Sequence, residues 1–203
     1  MKNILKTLID YSLFEKYDKD YFINNKILPL FENDISIKMA VCKNSKLETI
    51  KNDFNKVISF LEIDELELLF MISHIDQKTL LYSMALKAIS QNSFEKYVDK
   101  FLQELLSFSI NLRASDIHIE QYKDVILFKF RIDGRLKTFF AFYSEFFKLI
   151  SSYIKLISTL DMTQIRLPQD GRFALNIEDK KYDFRVSTMP TLEAESIVLR
   201  ILD

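Results

Sequence analysis

Asp116-Ile-His-Ile-Glu120, then Val125-Ile-Leu-Phe-Lys-Phe-Arg-Ile132, then Asp133-Gly134 and Leu136-Lys-Thr-Phe-Phe-Ala-Phe142: this stretch decides the fold. Its first segment alternates polar and apolar residues with a period of two, the pattern of a strand with one buried face. The second is rich in β-branched and aromatic residues. Asp-Gly suits the centre of a type I′ turn, where both residues need positive φ, so residues 136–142 are expected to return as the second arm of a hairpin. Further strands are expected at Arg172 to Ile177, Lys181 to Ser187 and Ser196 to Leu202, with a turn at Pro168-Gln-Asp-Gly171.

Two helices frame these strands. Phe94, Tyr97, Val98, Phe101, Leu102, Leu105 and Leu106 recur at helical spacing, and Asn92 with Glu95 three residues on has the form of a capping box. A second helix is expected from Glu145 to Leu160, with Phe146, Leu149, Ile150, Tyr153, Ile154 and Ile157 on one face. Antiparallel strands with one or two helices make an α+β layer, and it occupies residues 92–203.

Residues 1–91 read as a separate, small mixed domain. Ile27-Leu-Pro-Leu-Phe31 is a short apolar run whose proline suits an edge strand, and Ile35 to Val41 reads as another strand. A helix is expected over Lys46 to Phe60, a strand over Leu66 to Ile75, and a helix over Gln77 to Ile89 with Leu80, Leu81, Met84, Ala85 and Ala88 on its buried side.

Composition excludes several functions. The 203 residues are 48% hydrophobic and 28% charged, the balance of a globular chain that can bury roughly 70% of its unfolded surface. The single cysteine, Cys42, leaves no internal disulfide and no multi-cysteine zinc site. Only Gly134 and Gly171 are glycines, where ordinary usage would give roughly 14. Neither precedes Lys-Ser or Lys-Thr, so there is no Walker A loop to wrap a phosphate, and there is no dinucleotide fingerprint or nucleophile elbow. A net charge of −1 argues against nucleic acid as a partner.

Arginine is distributed unevenly. Residues 1–112 hold fourteen lysines and no arginine, whereas residues 113–203 hold seven of each. A composition biased towards lysine, asparagine and isoleucine thins arginine, so those that persist mark places where a planar fork is needed for phosphate or carboxylate; local ion pairing is the plainer alternative. Arg185 and Arg200 alternate with buried positions on their strands, so if those strands are neighbours the two guanidinium groups converge on one anion. Arg131 and Arg172 lie next to glycine turns. Asp116, His118 and Glu120 share a strand face, but same-side positions nearly 7 Å apart do not meet one ion, and the set reads as a polar face with no metal. His74 reads as a structural or surface histidine, and no Ser-His-Asp pattern supports hydrolysis.

Ala114-Ser-Asp-Ile-His-Ile-Glu120, Phe130-Arg-Ile-Asp-Gly134, Arg166-Leu-Pro-Gln-Asp-Gly-Arg172, Arg185-Val-Ser-Thr-Met-Pro190 and Val198-Leu-Arg-Ile-Leu-Asp203 together resemble the second N-terminal domain of the type II secretion and type IV pilus assembly ATPases. Residues 1–91 resemble, more weakly, the domain that precedes it. The resemblance implies a PAS-like second domain, joined in the parent protein to a RecA-like motor domain that holds ATP and Mg2+ and assembles as a hexamer. It implies that Arg185 and Arg200 reach nucleotide phosphates held by that motor domain, with Arg131 and Arg172 assisting or lining a subunit interface. It also implies that the first domain docks on the cytoplasmic part of an inner-membrane assembly protein, and Glu15-Lys-Tyr-Asp-Lys-Asp-Tyr-Phe22 is a candidate docking segment, or else a solvated helix end. The chain stops where the linker to the motor is expected. Ala194-Glu195 stands where the family usually has Gly-Glu, Gln121 where it has Pro, and the absence of glycine before Gly134 argues against cyclic di-GMP binding. The rival reading is a stand-alone PAS-like binding or adaptor module with no motor.

Overall fold

The computed structural model describes residues 8–45, 47, 50, 54–90, 94–192 and 194–202. The chain divides into two compact units, Met1–Tyr82 and Ser83–Asp203. The first contains α1 (Leu13–Lys16), α2 (Lys19–Asn25), β1 (Ile27–Glu32), β2 (Ser36–Val41), β3 (Val57–Glu62) and α3 (Glu65–Ile72); α4 (Ile75–Ser90) runs across the division. The boundary expected between residues 91 and 92, and Asn92 of the expected capping box, lie outside the described residues.

The sheet of the first unit is mixed. β1 pairs antiparallel with β2, and β2 pairs parallel with β3. Pro29 sits on the edge strand beside a register shift, where its missing N–H is tolerated. Ile27, Leu28 and Leu30 of β1, Ile37 and Met39 of β2, and Leu68 and Met71 of α3 are buried together with Phe22, whose ring meets Phe14 edge-on at 5.4 Å. The aromatics of the candidate docking segment therefore turn inward. Phe22 is in the core, and Tyr17 packs edge-on against it while donating its hydroxyl to Glu32.

Two expectations fail in this unit. Leu66 to Ile75 is not a strand: it forms α3 and the first residue of α4. The Asp64 carboxylate accepts the backbone N–H of Leu66 (2.9 Å) and of Glu67 (3.2 Å), capping α3, and Glu65 and Glu67 favour its positive end. The helix expected over Lys46 to Phe60 survives only in part. Leu47 and Ile50 are helical, residues 46, 48, 49 and 51–53 lie outside the described residues, and Val57 opens β3. There, β-branched Val57 and Ile58 pair with Ser36 and Ile37 of β2, which a helix would forbid. α4 forms as expected, burying Leu81, Ala85 and Ala88, but Leu80 is exposed.

The second unit contains α5 (Phe94–Asn111), β4 (Asp116–Tyr122), β5 (Val125–Ile132), β6 (Arg135–Tyr143), α6 (Glu145–Ile157), β7 (Gln169–Ile177), β8 (Lys180–Pro190) and β9 (Glu195–Leu202). Its six strands are antiparallel throughout, in the order β6-β5-β4-β9-β8-β7. The expected hairpin joins β5 to β6, and Asp133 and Gly134 have φ of 49° and 75°, as a type I′ turn needs. Both helices cover one face. The Phe101 ring of α5 lies 5.3 Å from Phe128 and 4.7 Å from Phe146 of α6, and Phe108 stacks 4.7 Å from Phe139. The chain is thus an α+β protein, with a small mixed sheet, a larger antiparallel sheet and flanking helices.

Three details of this unit differ from expectation. α6 ends at Ile157, short of Leu160, and Thr159 takes a positive φ of 55°. It buries Phe147, Ser151 and Lys155 beside Phe146, Ile150 and Ile154, a wider face than the apolar stripe alone. The turn expected at Pro168 to Gly171 is instead the start of β7, since Gln169, Asp170 and Gly171 pair with Thr188, Ser187 and Val186. The bend lies in residues 158–168, tied by Gln169 Nε2 donating to the carbonyls of Asp161 (3.0 Å) and Gln164 (2.9 Å). A Cβ on Gly171 would come within 2.9 Å of the Ser158 carbonyl oxygen, so this close approach requires glycine.

Candidate functional site

Strand register brings the arginines into line. Arg172 of β7 lies opposite Arg185 of β8, Arg185 opposite Arg200 of β9, Arg200 opposite Asp116 of β4, and Asp116 opposite Arg131 of β5. Directly opposed residues share a face of the sheet, and strands are spaced by about 4.8 Å, so the five positions form a row about 19 Å long. Their chain neighbours Phe173, Phe184, Val186, Leu199, Ile117 and Phe130 are buried on the helix-covered face, so the row occupies the opposite one. β8 and β9 are neighbours, as convergence of Arg185 and Arg200 requires.

Asp116 organises the charges at one end of the row. Its side chain is 5% exposed, and one oxygen accepts Arg200 Nε at 2.8 Å, while the other accepts the Ser115 hydroxyl at 2.8 Å and faces Arg131 Nε at 3.4 Å. Burial pushes the Asp116 carboxyl up, but the hydrogen bonds from Arg200 and Ser115 and the two positive charges outweigh it and hold it below the ordinary aspartate value. Arg131 also donates from Nη1 to the Gly134 carbonyl at 3.3 Å. Arg185 Nη2 lies 3.3 Å from Asp170, which also accepts the Ser187 hydroxyl at 2.8 Å; these two contacts lower the Asp170 pKa. Arg172 is exposed and makes no ion pair among the described residues.

Chemically, the row is a line of planar cations with an exposed outer edge. The Arg200 side chain is 61% exposed and the Arg185 side chain 54%. Because Asp116 engages Arg200 through Nε, the two Nη groups are left as a fork of the geometry that phosphate accepts. Arg113, Arg135 and Arg166 are exposed and lie off this row.

The metal alternative finds no support. Asp116, His118 and Glu120 share a face as expected, but Asp116 is committed to arginines and Glu120 to an ion pair with Lys129. Among the described residues no group of three or more ligating side chains is placed to hold an ion. His118 is half-buried, and burial and the Arg131 charge lower its pKa. His74 is exposed.

Sequence reasoning missed two features. One is Asp116 as a shared counter-ion, visible only once β4 is known to lie between β5 and β9. The other is the buried pair of Lys155 and Glu195, 1% and 3% exposed, in which Lys155 Nζ meets both carboxylate oxygens at 2.8 Å and the Gln164 carbonyl at 2.8 Å. A lysine four residues after Ser151 and eight after Phe147, on the buried side of α6, was the available signal.

Residues 90–203 match the family described as Type II/IV secretion system protein. The chain belongs to that family. It is similar to the Type II secretion system protein E of Aeromonas hydrophila, 42% identical over 104 residues, which are 51% of this chain and 21% of that protein. The putative Type II secretion system protein E of Escherichia coli K12 is 42% identical over 106 residues, 52% of this chain and 22% of its own length. The chain thus spans about a fifth of the length of these relatives. The X-ray structure of the Legionella pneumophila ATPase DotB aligns over 51% of this chain and 28% of its own, with a TM-score of 0.40 and 19% identity. Within the family this chain corresponds to an N-terminal region of the secretion and pilus ATPases, and its 203 residues contain no Walker A motif. No helix among the described residues is long and apolar enough to cross a membrane.

Proposed function

We propose that this chain is the docking and regulatory portion of a hexameric secretion or pilus-assembly ATPase, and that Arg185 and Arg200 act on nucleotide bound by a motor domain of the parent protein. ATP and Mg2+ belong to that motor. In this reading residues 1–91 form the domain that docks on the cytoplasmic part of an inner-membrane assembly protein. Residues 92–203 form a PAS-like layer packed against the motor and neighbouring subunits, and the parent is cytoplasmic and peripheral to the inner membrane. Arg131 and Arg172 extend the cationic row and assist in holding phosphate.

One observation carries the proposal: Arg172, Arg185 and Arg200 occupy three adjacent strands in direct register on the face away from the helices. Phosphoryl transfer spreads negative charge over equatorial oxygens, and a guanidinium brought in from another domain stabilises that charge without altering nucleotide binding greatly. Closure of the sheet on the motor then gates hydrolysis. In the full-length parent, Arg185→Ala and Arg200→Ala should each lower ATP turnover at least ~10-fold while nucleotide is still bound. Unchanged turnover in either variant refutes the assignment for that arginine.

A further inference from the structure

The carboxylate between Arg200 and Arg131 is the least exposed charged group of the row, and each of its oxygens already has a hydrogen-bond donor or a guanidinium beside it. A buried carboxylate held by two cations is a poor ligand for a phosphate and a good anchor for a guanidinium. Its grip on Arg200 is through Nε, the one donor whose use leaves the fork of Nη groups outward. Without it, Arg200 is a flexible side chain at the surface of the sheet, with rotamer freedom to lose at each encounter with an anion.

We infer that Asp116 is a positioning residue: it locks the Arg200 guanidinium edge-outward before any phosphate arrives, while Arg131 on its other oxygen balances its charge and Ser115 fixes its rotamer. The inference rests on the reading of Arg200 as a phosphate-directed arginine. The same carboxylate offsets one positive charge of the row, so it trades affinity for orientation. Asp116→Asn, which keeps the shape but weakens the grip, should therefore cut kcat of the full-length parent about 10-fold while leaving KM for ATP unchanged or lower. A residue needed only for folding would not split the two constants in this way.

Two measurements keep this separable from the reading it rests on. In the parent, Asp116→Asn added to Arg200→Ala should cost little further turnover, because Arg131, the other cation on Asp116, is also held by the Gly134 carbonyl; an additive loss overturns the inference. In the 203-residue chain, nitrogen-15 spectra of the arginine side chains should show an Nε–H of Arg200 protected from exchange, and Asp116→Asn should abolish that protection with the melting midpoint shifted by only a few degrees. An unprotected Arg200 Nε in the unsubstituted chain overturns the clamp directly. A protected Nε together with full turnover in Arg200→Ala overturns the phosphate reading and leaves the clamp as a fold contact only, which also ends the positioning role.

Discussion

Lys155 and Glu195 tie the end of α6 to the start of β9, and breaking that tie on one side should destabilise the second unit severely. Both side chains are almost fully buried, the ammonium meets both carboxylate oxygens at 2.8 Å, and a third bond holds the Gln164 carbonyl. Glu195→Leu strands a buried ammonium and Lys155→Met strands a buried carboxylate. Each should cost about 3–5 kcal/mol, since the partner left behind keeps its full desolvation penalty. For a unit running from Ser83 to Asp203 this corresponds to a fall of roughly 10–20 °C in melting midpoint. Replacing both residues together should recover all but about 1 kcal/mol, because well-packed apolar groups match a buried ion pair. The Gln164 carbonyl is not orphaned by the double change, as Gln169 Nε2 still donates to it at 2.9 Å. The chain has no tryptophan, so urea denaturation followed by far-ultraviolet circular dichroism is the assay. Single variants losing less than about 1 kcal/mol, or a double variant as unstable as the singles, would refute the reasoning.

Two further outcomes follow from the packing. Lys78 of α4 is fully buried and donates Nζ to the carbonyls of Phe70 (3.1 Å) and Met71 (2.9 Å) at the end of α3, and burial pushes its pKa down from 10.5 to about 7. Between those two values the unfolded chain keeps a proton that the folded one releases, so stability should rise with pH across that window, by up to about 1.4 kcal/mol per pH unit, and Lys78→Met should flatten the rise in urea titrations. Gly171→Ala should cost roughly 1–3 kcal/mol, because its Cβ would meet a backbone oxygen at 2.9 Å; a wild-type melting midpoint would show that the 158–168 bend yields freely.

Legibility in the sequence followed the range of the physics involved. β4, β5 and β6 could be read because alternation and an Asp-Gly turn are local signals, and α5 and α6 because their apolar positions repeat over several turns. Leu66 to Ile75 misled because a short apolar run fits strand and buried helix alike. The Asp64 cap with Glu67 three residues on was the discriminating signal, and Asp64 lies just outside the run. Val57 to Glu62 was lost to the preceding helical pattern, since parallel pairing with β2 leaves no local trace. The candidate site was legible as residue types but not as an arrangement. Arg185 and Arg200 could be singled out, whereas Asp116 becomes the partner of Arg200 only through pairing between positions 84 residues apart.

That pairing also governs when the second unit acquires its shape. β4 and β9, the earliest and latest strands of the layer, lie side by side at its centre, so the β4-β5-β6 and β7-β8 ladders are joined into one sheet only by residues 195–202. The nascent β4-β5-β6 meander meanwhile presents an unsealed inner border, so the unit should condense late and slowly.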